Sequence, residues 1–163
     1  MNTALEDLET QYIRHYRSIY LYVLALTRSV DEAEEVTADT FERAHVAWSN
    51  GRRPLAGKEL PWLLLTARRR ATDRWRRTQR LASLRTSGPD RRATAEQNVD
   101  FWLWFDALSR VLTPRQREAL LLRYQRDLTD ADIANVMGLS PSGVRSLVLR
   151  ALEALRSHPE LLP

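Results

Sequence analysis

The stretch TDADIANVMGLSPSGVRSLVLRAL, residues 129–152, has the spacing of two short helices joined by a tight turn. Thr129 and Ser140 each stand where a helix N-cap is expected. Gly138 supplies the left-handed residue that a tight turn needs, and Ala134 is small enough to let two helices cross closely. The spacing therefore predicts a helix-turn-helix, with apolar plugs at Ile133, Val136, Leu139 and Val144.

The second helix of this motif, predicted from Ser140 to about Arg156, has one apolar and one polar face. At about 100° per residue, its buried stripe consists of Val144, Val148, Ala151 and Leu155. The opposite face presents the candidate DNA-reading residues Ser142, Arg145, Ser146, Leu149 and Arg150. In a helix-turn-helix, the start of this helix meets base edges in the major groove. An ordinary helical hairpin in a bundle is the alternative interpretation.

Helical periodicity covers most of the remaining chain. Longer helices are predicted over residues 5–28, 31–48 and 60–80, and an aromatic-rich helix is predicted to start near Val99. The residues Thr113-Pro114-Arg115-Gln116 mark a further helix start, because Thr is a good cap and Gln stands at the capping-box position. Asp31 is the predicted cap of the second helix, with Glu34 at its capping-box position.

Apolar spacing also predicts which residues of the three long helices face inward. In the first helix they are Leu5, Leu8, Tyr12, Ile19, Tyr22, Val23 and Leu26. In the second they are Ala33, Val36, Thr40, Phe41, Ala44 and Trp48. In the third they are Leu60, Leu64, Ala67, Ala71 and Trp75.

Residues 81–98 interrupt the helical pattern. They have little periodicity and contain a Ser-Gly-Pro-Asp turn, which is typical of a flexible linker between domains. The sequence therefore predicts an all-α fold of two small helical domains, residues 1–80 and 99–163. A shorter interruption at 49–59, with Gly and Pro, predicts a loop.

Charge is distributed unevenly along the chain. Residues 1–50 hold nine acidic residues against four arginines, a net charge of −5. Residues 61–100 hold ten arginines against four acidic residues, a net charge of +6. Blocks of opposite sign indicate surfaces that meet different partners.

The positive block is densest on the third predicted helix. Seven arginines lie between Arg68 and Arg80, and Asp73 is the only acidic residue among them. Like charges one turn apart repel each other, so a helix of this kind needs partners. A nucleic-acid backbone is one such partner. A solvated helix, or one paired with the acidic helix at 31–48, is the alternative.

Several classes of protein do not fit the composition. The chain has no cysteine, which excludes disulfides, zinc knuckles and thiol nucleophiles. The three histidines are far apart, no metal-ligand spacing or Gly-rich phosphate loop is present, and no enzyme, cofactor or small-molecule substrate is predicted. No apolar run approaches the ~20 residues of a membrane span, and the acidic start is unlike a secretory signal, so a cytoplasmic location is predicted.

Four segments of the chain together resemble one family, the extracytoplasmic-function (ECF) sigma factors of bacterial RNA polymerase. The segment DEAEEVTADTFERAHVAW is similar to their region 2.2, and PWLLLTARRRATDRWRR is similar to regions 2.3 and 2.4. The segment LTPRQREALLLRY resembles region 4.1, and residues 127–156 resemble region 4.2. The order and spacing of these segments match a minimal sigma factor that holds only regions 2 and 4.

This resemblance implies a set of partners. The region 2.2 helix would bind the β′ clamp helices of core RNA polymerase, and the β flap is a second expected contact. The residues expected at the polymerase are Glu35, Asp39, Glu42 and Arg43. Promoter DNA is a further partner, and an anti-sigma factor is expected because such proteins usually hold this family inactive.

The resemblance also divides DNA recognition between two promoter elements. The loop and the basic helix would recognise and melt the −10 element and capture a flipped base; the residues expected there are Asn50, Arg52, Arg53, Lys58, Trp62, Arg69, Arg70, Arg76, Arg77 and Arg80. The last helix would read the −35 element through Ser142, Arg145, Ser146, Leu149 and Arg150. Gly143 and Leu147 replace the Thr and Arg common in the family, so promoter choice is expected to depend on the loop at least as much as on this helix.

Two other functions remain open from the sequence. A helix-turn-helix regulator would bind an operator without polymerase, usually as a dimer. A sigma-like interaction protein would bind partners without directing transcription. DNA binding by the free protein and run-off transcription distinguish these possibilities from a sigma factor.

Overall fold

The computed structural model describes residues 3–81 and 99–162. Within them every regular element is a helix, which confirms the all-α prediction. The chain divides into two compact units, residues 1–90 and 91–163. This division falls inside the predicted linker, of which residues 82–98 lie outside the described part. The exact ends of the two domains stay a prediction.

The described part of the first unit, residues 3–81, consists of three helices that pack against one another. They are α1 (Thr3–Thr27), α2 (Val30–Ser49) and α3 (Glu59–Leu81). Their core contains the predicted inward residues of α2, together with Ile19, Tyr22 and Val23 of α1 and Leu63, Leu64 and Ala67 of α3.

The start of α2 differs from the prediction. Ser29, not Asp31, is the N-cap, and its hydroxyl accepts a hydrogen bond from the backbone N–H of Glu32 at 3.3 Å. Arg28 takes a left-handed conformation (φ 54°) and turns the chain between α1 and α2, so the helix begins earlier than expected. Asp31 lies instead in the first turn, where its negative charge interacts favourably with the helix dipole and stabilises the helix.

Among the described side chains, three that were predicted to be buried are exposed, and Leu8 and Leu60 are half-buried; the side chain of Leu5 lies outside the described part. The Tyr12 ring packs on Phe41 with centroids 4.9 Å apart, but 44% of the residue stays in solvent. Leu26 is 36% exposed near the end of α1. Trp75 is 61% exposed, because the apolar spacing of α3 continues past the helices on which it packs, and Ala71 is the last buried residue in its described part.

Residues 99–162 of the second unit contain four α-helices. They are α4 (Val99–Ser109), α5 (Pro114–Leu120), α6 (Asp130–Met137) and α7 (Pro141–Ala154). A π-helical turn, Leu121–Gln125, follows α5, and two short 3₁₀ turns follow α7. The predicted capping box at α5 is present, since Thr113 and Gln116 exchange hydrogen bonds of 3.3 and 3.0 Å.

The turn, the caps and the buried residues of α6 and α7 confirm the predicted helix-turn-helix. Gly138 adopts the left-handed conformation (φ 68°), and Thr129 and Ser140 cap α6 and α7. Ala134 is buried at the crossing, as are all four residues of the predicted α7 stripe. Leu139 is half-buried, so it forms the edge of the apolar contact.

Candidate polymerase and DNA interfaces

The acidic residues of α2 lie on one face of the first unit. Glu35, Asp39 and Glu42 are spaced three and four residues apart, and such positions share a helix face. Glu42 is exposed and has no side-chain partner within the described residues. Asp39 also faces Arg43, whose Nε lies 3.6 Å from Oδ2. This face offers one free carboxylate and one exposed guanidinium to a partner.

Two arginines of the basic helix turn toward this acidic face. Arg70 donates a hydrogen bond from Nε to Asp39, and Arg74 donates one from Nη2 to Glu35. The proposed alternative, pairing with the acidic helix, therefore holds for these two residues. Arg70 was also expected at the −10 DNA; its guanidinium pairs with Asp39 of α2, and the expected DNA contact stays a prediction. The expected polymerase surface and the expected DNA surface are thus joined by ion pairs.

Three other arginines of α3 remain available. Arg69, Arg76 and Arg77 are exposed and have no side-chain partner within residues 3–81 and 99–162. The side chain of Arg80 lies outside the described part of the chain. A cluster of unpaired cations on one helix is a suitable surface for a phosphate backbone.

A cleft of about 610 Å³ opens between the second half of α2 and the first half of α3. Trp62 lies in it half-buried, with its ring centroid 5.6 Å from that of Trp48. The charged residues around it belong to both expected interfaces: Asp39, Glu42 and Arg43 of α2, Arg52 of the loop, and Arg69 and Arg70 of α3. The cleft therefore combines an aromatic wall, cations and carboxylates at one place.

The loop between α2 and α3 is held by Arg53. Its guanidinium forms ion pairs with Asp7 of α1 and, at 3.3 Å, with Glu59 at the start of α3. It also lies 5.4 Å from the centre of the Trp48 ring. These contacts hold the loop in place and leave 39% of the Arg53 side chain exposed, so its expected contact with DNA stays a prediction.

Glu59 completes this anchor from the other side of the loop. Its carboxylate accepts hydrogen bonds from the Gly57 backbone N–H at 2.8 Å and from Arg53. Burial alone would raise the pKa of Glu59, but these bonds and the Arg53 charge outweigh it, so the pKa lies below its usual 4.5. The charged form of Glu59 therefore stabilises the fold.

Replacing Glu59 by Gln is expected to lower the free energy of unfolding by about 1–3 kcal/mol at neutral pH, because Arg53 and Gly57 lose a charged acceptor. A lowered folded-state pKa gives stability that is present above pH 4.5 and lost as the pH falls through the folded value. Urea unfolding followed by circular dichroism should therefore show the gap between wild type and E59Q closing on acidification below that pH. The exposed Glu9→Gln serves as the control. If the difference in unfolding free energy between wild type and E59Q were the same at neutral and at acidic pH, the role of Glu59 as an anchor would be contradicted.

The remaining loop residues are placed at the surface. The backbone N–H of Arg52 donates to the Ala47 carbonyl at 2.8 Å, and its exposed side chain borders the cleft without a partner in the described residues. Asn50 is exposed at the C-cap of α2. Lys58 is exposed but takes part in an interaction within the protein. Arg52 is thus the loop side chain best placed to meet a base in the cleft.

In the second unit the expected −35 residues form one exposed face of α7. Ser142, Arg145, Ser146, Leu149 and Arg150 are all exposed, and Leu149 is 67% exposed. Arg145 lies 3.6 Å from Asp130 of α6, and Asp130 also pairs with Arg123 of the π-helical turn. This carboxylate restricts where the Arg145 guanidinium lies and still leaves 60% of its side chain exposed.

Sequence reasoning missed the contacts that organise these surfaces. Arg70 pairs with a residue 31 positions away, and Arg74 pairs with one 39 positions away. No local pattern predicts such pairs, although the opposite charges of α2 and α3 indicated that the two helices could pair. The contact of Asp130 with Arg145 joins α6 and α7, and no local pattern predicts it either.

The described residues contain no group of His, Asp or Glu side chains arranged to hold a metal ion. No helix within residues 3–81 and 99–162 is both long enough and apolar enough to cross a bilayer.

A three-helix unit with a basic helix, followed by a helix-turn-helix unit, defines a transcription factor of the sigma type. Sigma-70 region 2 matches residues 11–81, and sigma-70 region 4 matches residues 102–155. The ECF sigma factor SigK of Mycolicibacterium vanbaalenii is 31% identical over 149 residues, covering 85% of this chain and 74% of SigK. SigX of Bacillus subtilis is 25% identical over an alignment of 175 residues, covering 96% of this chain and 86% of SigX. The chain belongs to the ECF sigma factors, which direct RNA polymerase to promoters.

Solved structures confirm the fold. The sigma factor RpoE of Bartonella quintana, in complex with the anti-sigma factor NepR, has a TM-score of 0.75 at 19% identity, covering 93% of this chain and 96% of that one. The PhyRSL–NepR complex from Sphingomonas sp. Fr1 gives a TM-score of 0.63 at 23% identity, covering 96% and 93%. At these identities the similarity concerns the fold alone.

Proposed function

We propose that the first unit binds core RNA polymerase and opens the −10 element, and that the second unit reads the −35 element. The cleft between α2 and α3 carries this proposal, because residues expected at the polymerase and at the DNA border it together. A sigma factor must hold promoter DNA against the polymerase, and a shared cleft would place both partners side by side.

The polymerase would meet the exposed side of α2. Glu42 offers a free carboxylate and Arg43 an exposed guanidinium, while Glu35 and Asp39 keep part of their side chains accessible at 58% and 30%. The proposed partner surface is the β′ clamp helices, with the β flap as a contact of the second unit. Since the family acts on polymerase, the protein would work in the cytoplasm as a regulatory DNA-recognition protein and not as a catalyst.

The −10 element would be opened by α3 and the loop. Unstacking a base costs a few kcal/mol, and stacking and backbone contacts can offset that cost. Trp62 provides an aromatic surface in the cleft, Arg52 provides donors at its rim, and Arg69 provides a cation for the strand. The structure thus supports capture of one flipped base in the cleft.

The −35 element would be read by the exposed face of α7. Arg145 and Arg150 can each donate two hydrogen bonds to a guanine edge, and the two serines can serve as donors or acceptors. Leu149 offers an apolar surface that suits a thymine methyl group. Phosphate contacts by the same arginines would hold the helix in register.

An anti-sigma factor is proposed as a further partner. The two solved structures described above are complexes that contain NepR, which is named as an anti-sigma factor in the RpoE complex. Co-purification of the tagged chain from its host, followed by inhibition of transcription with the captured protein, would test this partner.

Run-off transcription with core RNA polymerase on a library randomised at −10 and −35 tests the proposed function. We expect transcripts from a subset of templates only when both core and this protein are present. Gel-shift measurements with the free protein complete the test. Tight operator binding without core would instead identify a helix-turn-helix regulator, and core binding without transcripts would identify a sigma-like interaction protein.

Replacing Glu42 by Lys is expected to weaken binding to core polymerase by about tenfold or more, since like charges placed opposite each other cost a few kcal/mol at an interface. Glu42 is preferred to Asp39 for this test because it has no partner in the described residues, so the fold is undisturbed. Fluorescence anisotropy of labelled protein with core measures the effect. Glu9→Lys makes the same charge change on α1, and equal affinities for the two variants would remove α2 from the interface.

A further inference from the structure

Asp130 stands at the centre of an Arg–Asp–Arg cluster that joins three elements of the second unit. Its carboxylate pairs with Arg123 of the π-helical turn, and its Oδ2 lies 3.6 Å from Nη1 of Arg145 on α7. Asp130 is the first residue of α6, directly after the N-cap Thr129. The cluster therefore connects the expected DNA-reading face of α7 to α6 and to the turn after α5.

The Arg123 end of the cluster is fixed by packing. Leu122, which precedes Arg123 in the same turn, is fully buried, and its carbonyl accepts a hydrogen bond from the backbone N–H of Leu128 at 3.2 Å. The side chains of Arg123 and Asp130 are only 30% and 24% exposed, whereas that of Arg145 is 60% exposed. The carboxylate is thus held from the packed side, while the guanidinium it faces reaches into solvent. Isolated π-helical turns are frequent at functional sites.

The Arg145 guanidinium keeps its donors available for DNA. At 3.6 Å the contact with Asp130 is an ion pair and not a hydrogen bond, so it orients the group by charge and occupies none of the five N–H donors. The edge of a guanine presents two acceptors, N7 and O6, which a guanidinium can meet with two parallel bonds. An arginine whose direction is already restrained loses less conformational freedom when it makes this pair.

A carboxylate at the start of α6 is unfavourable for DNA binding in general. The first helix of a helix-turn-helix crosses the phosphate backbone, so phosphates are expected near this end of α6. The charge of Asp130 repels phosphates and offsets part of the Arg145 charge that would attract them. A stabilised helix dipole does not require it, because Asp132 supplies an acidic residue in the same turn. The carboxylate therefore weakens contacts that every sequence offers and spares contacts with base edges, which differ between sequences.

We propose that Asp130 is a positioning residue for −35 recognition, which turns the Arg145 guanidinium toward a guanine edge and away from phosphate while Arg123 holds the carboxylate in place. This inference rests on the proposed sigma function. It gives two residues outside α7 a role in promoter choice, and it identifies the base read by Arg145 as a guanine.

The experiment compares wild type, D130N, R145A and the double variant D130N/R145A as holoenzymes made with the full chain. Run-off transcripts from a library randomised at −35 are sequenced, and the guanine whose preference R145A loses is the one that Arg145 reads. We expect D130N to reduce that preference by roughly 3- to 10-fold, a part of the about 5- to 150-fold that an Arg–guanine pair contributes. In the double variant D130N should add no further loss, because Asp130 acts through Arg145.

Two binding measurements separate positioning from a merely structural role. Replacing the selected guanine by 7-deazaguanine removes the N7 acceptor, so it should weaken promoter binding by wild type and have a much smaller effect on D130N. On DNA of unrelated sequence, D130N should bind more tightly than wild type. Its slope of log affinity against log salt should be steeper by about 0.9, because the released arginine takes up one phosphate. A loss of folded protein would produce neither result.

Two further variants serve as a second test and a control. R123Q leaves the charge of Asp130 but removes the group that holds it, so the same promoter position should lose its preference. E153Q removes a carboxylate from an exposed position of α7 that has no partner in the described residues, so the guanine preference should stay unchanged. Urea unfolding should give D130N a midpoint close to wild type, since partly exposed ion pairs contribute little to stability. If D130N does not fold, the result for R123Q decides.

Three results would overturn the inference. They are an unchanged guanine preference in D130N, an equal loss of that preference in E153Q, and losses that add in D130N/R145A. Wild-type transcription is measured in parallel. If wild type transcribes and D130N selects the same −35 sequences, only this inference fails; if wild type directs no transcription, the proposed function fails, and this inference fails with it.

Discussion

Replacing Arg69, Arg76 and Arg77 together by Ala is expected to weaken promoter binding by the holoenzyme roughly 100- to 500-fold at 0.1 M salt. Each residue is exposed without a partner in the described structure, so each is free to neutralise one phosphate. Counterion release from three contacts also predicts a slope of log affinity against log salt that is shallower by about 2–2.7. Filter binding over a salt series on several promoters measures both quantities.

The loss should be similar on every promoter sequence, because phosphate contacts carry no base information. A matched control replaces Arg14, Arg110 and Arg156, which are exposed residues on other surfaces, and removes the same charge. The control variant should keep the slope and most of the affinity. If the triple variant kept the wild-type slope, the three arginines would be solvated residues without a DNA contact.

Arg70 and Arg74 are not suited to the same replacement. Their pairing with Asp39 and Glu35 means that their removal would leave carboxylates of α2 without partners and disturb the contact between α2 and α3. A charge change at Asp39 has the same difficulty, because it would alter both the polymerase face and the position of Arg70. Residues that join two interfaces cannot report on either one alone.

The sequence predicted the second unit well because its signals are local. The α7 stripe of Val144, Val148, Ala151 and Leu155 follows from rotation along one helix, and all four residues are buried. The conformation of Gly138 and the caps at Thr113, Thr129 and Ser140 depend on neighbours within a few residues. Periodicity and capping chemistry are therefore sufficient for this part of the fold.

The first unit shows where local signals fail. Periodicity placed Trp75 on the buried stripe of α3, but a stripe is buried only as far as another helix covers it, and the end of that cover is a tertiary property. The resemblance to the ECF sigma factors made Arg53 a DNA-contacting candidate, but no local pattern predicted its ion pairs with Asp7 and Glu59, which hold the loop. Local patterns thus identified the helices that carry the candidate site, while the partners of each arginine depend on contacts between helices.

Replacing Arg52 by Ala is expected to reduce the preference of the holoenzyme for one base at one −10 position by about 5- to 150-fold. This factor is equivalent to the ~1–3 kcal/mol of a lost Arg–guanine pair. The loop backbone at Arg52 is fixed by its bond to Ala47, and the anchor at Arg53 holds the following residue, so the free Arg52 side chain is aimed at the cleft. Sequencing of run-off transcripts from a library randomised at −10 and −35 measures the preference.

Two further variants decide which surface carries the choice of promoter. R52K keeps the charge but loses the planar two-donor geometry, so it should retain the salt dependence and lose the base preference. R145A should relax the −35 preference by a comparable factor, because Asp130 restrains the Arg145 guanidinium while leaving it exposed. A −10 preference that survived in R52A, together with a −35 preference that disappeared in R145A, would move sequence choice from the loop to α7. Such a result would leave the membership of the ECF sigma family intact, because that rests on the match of both units.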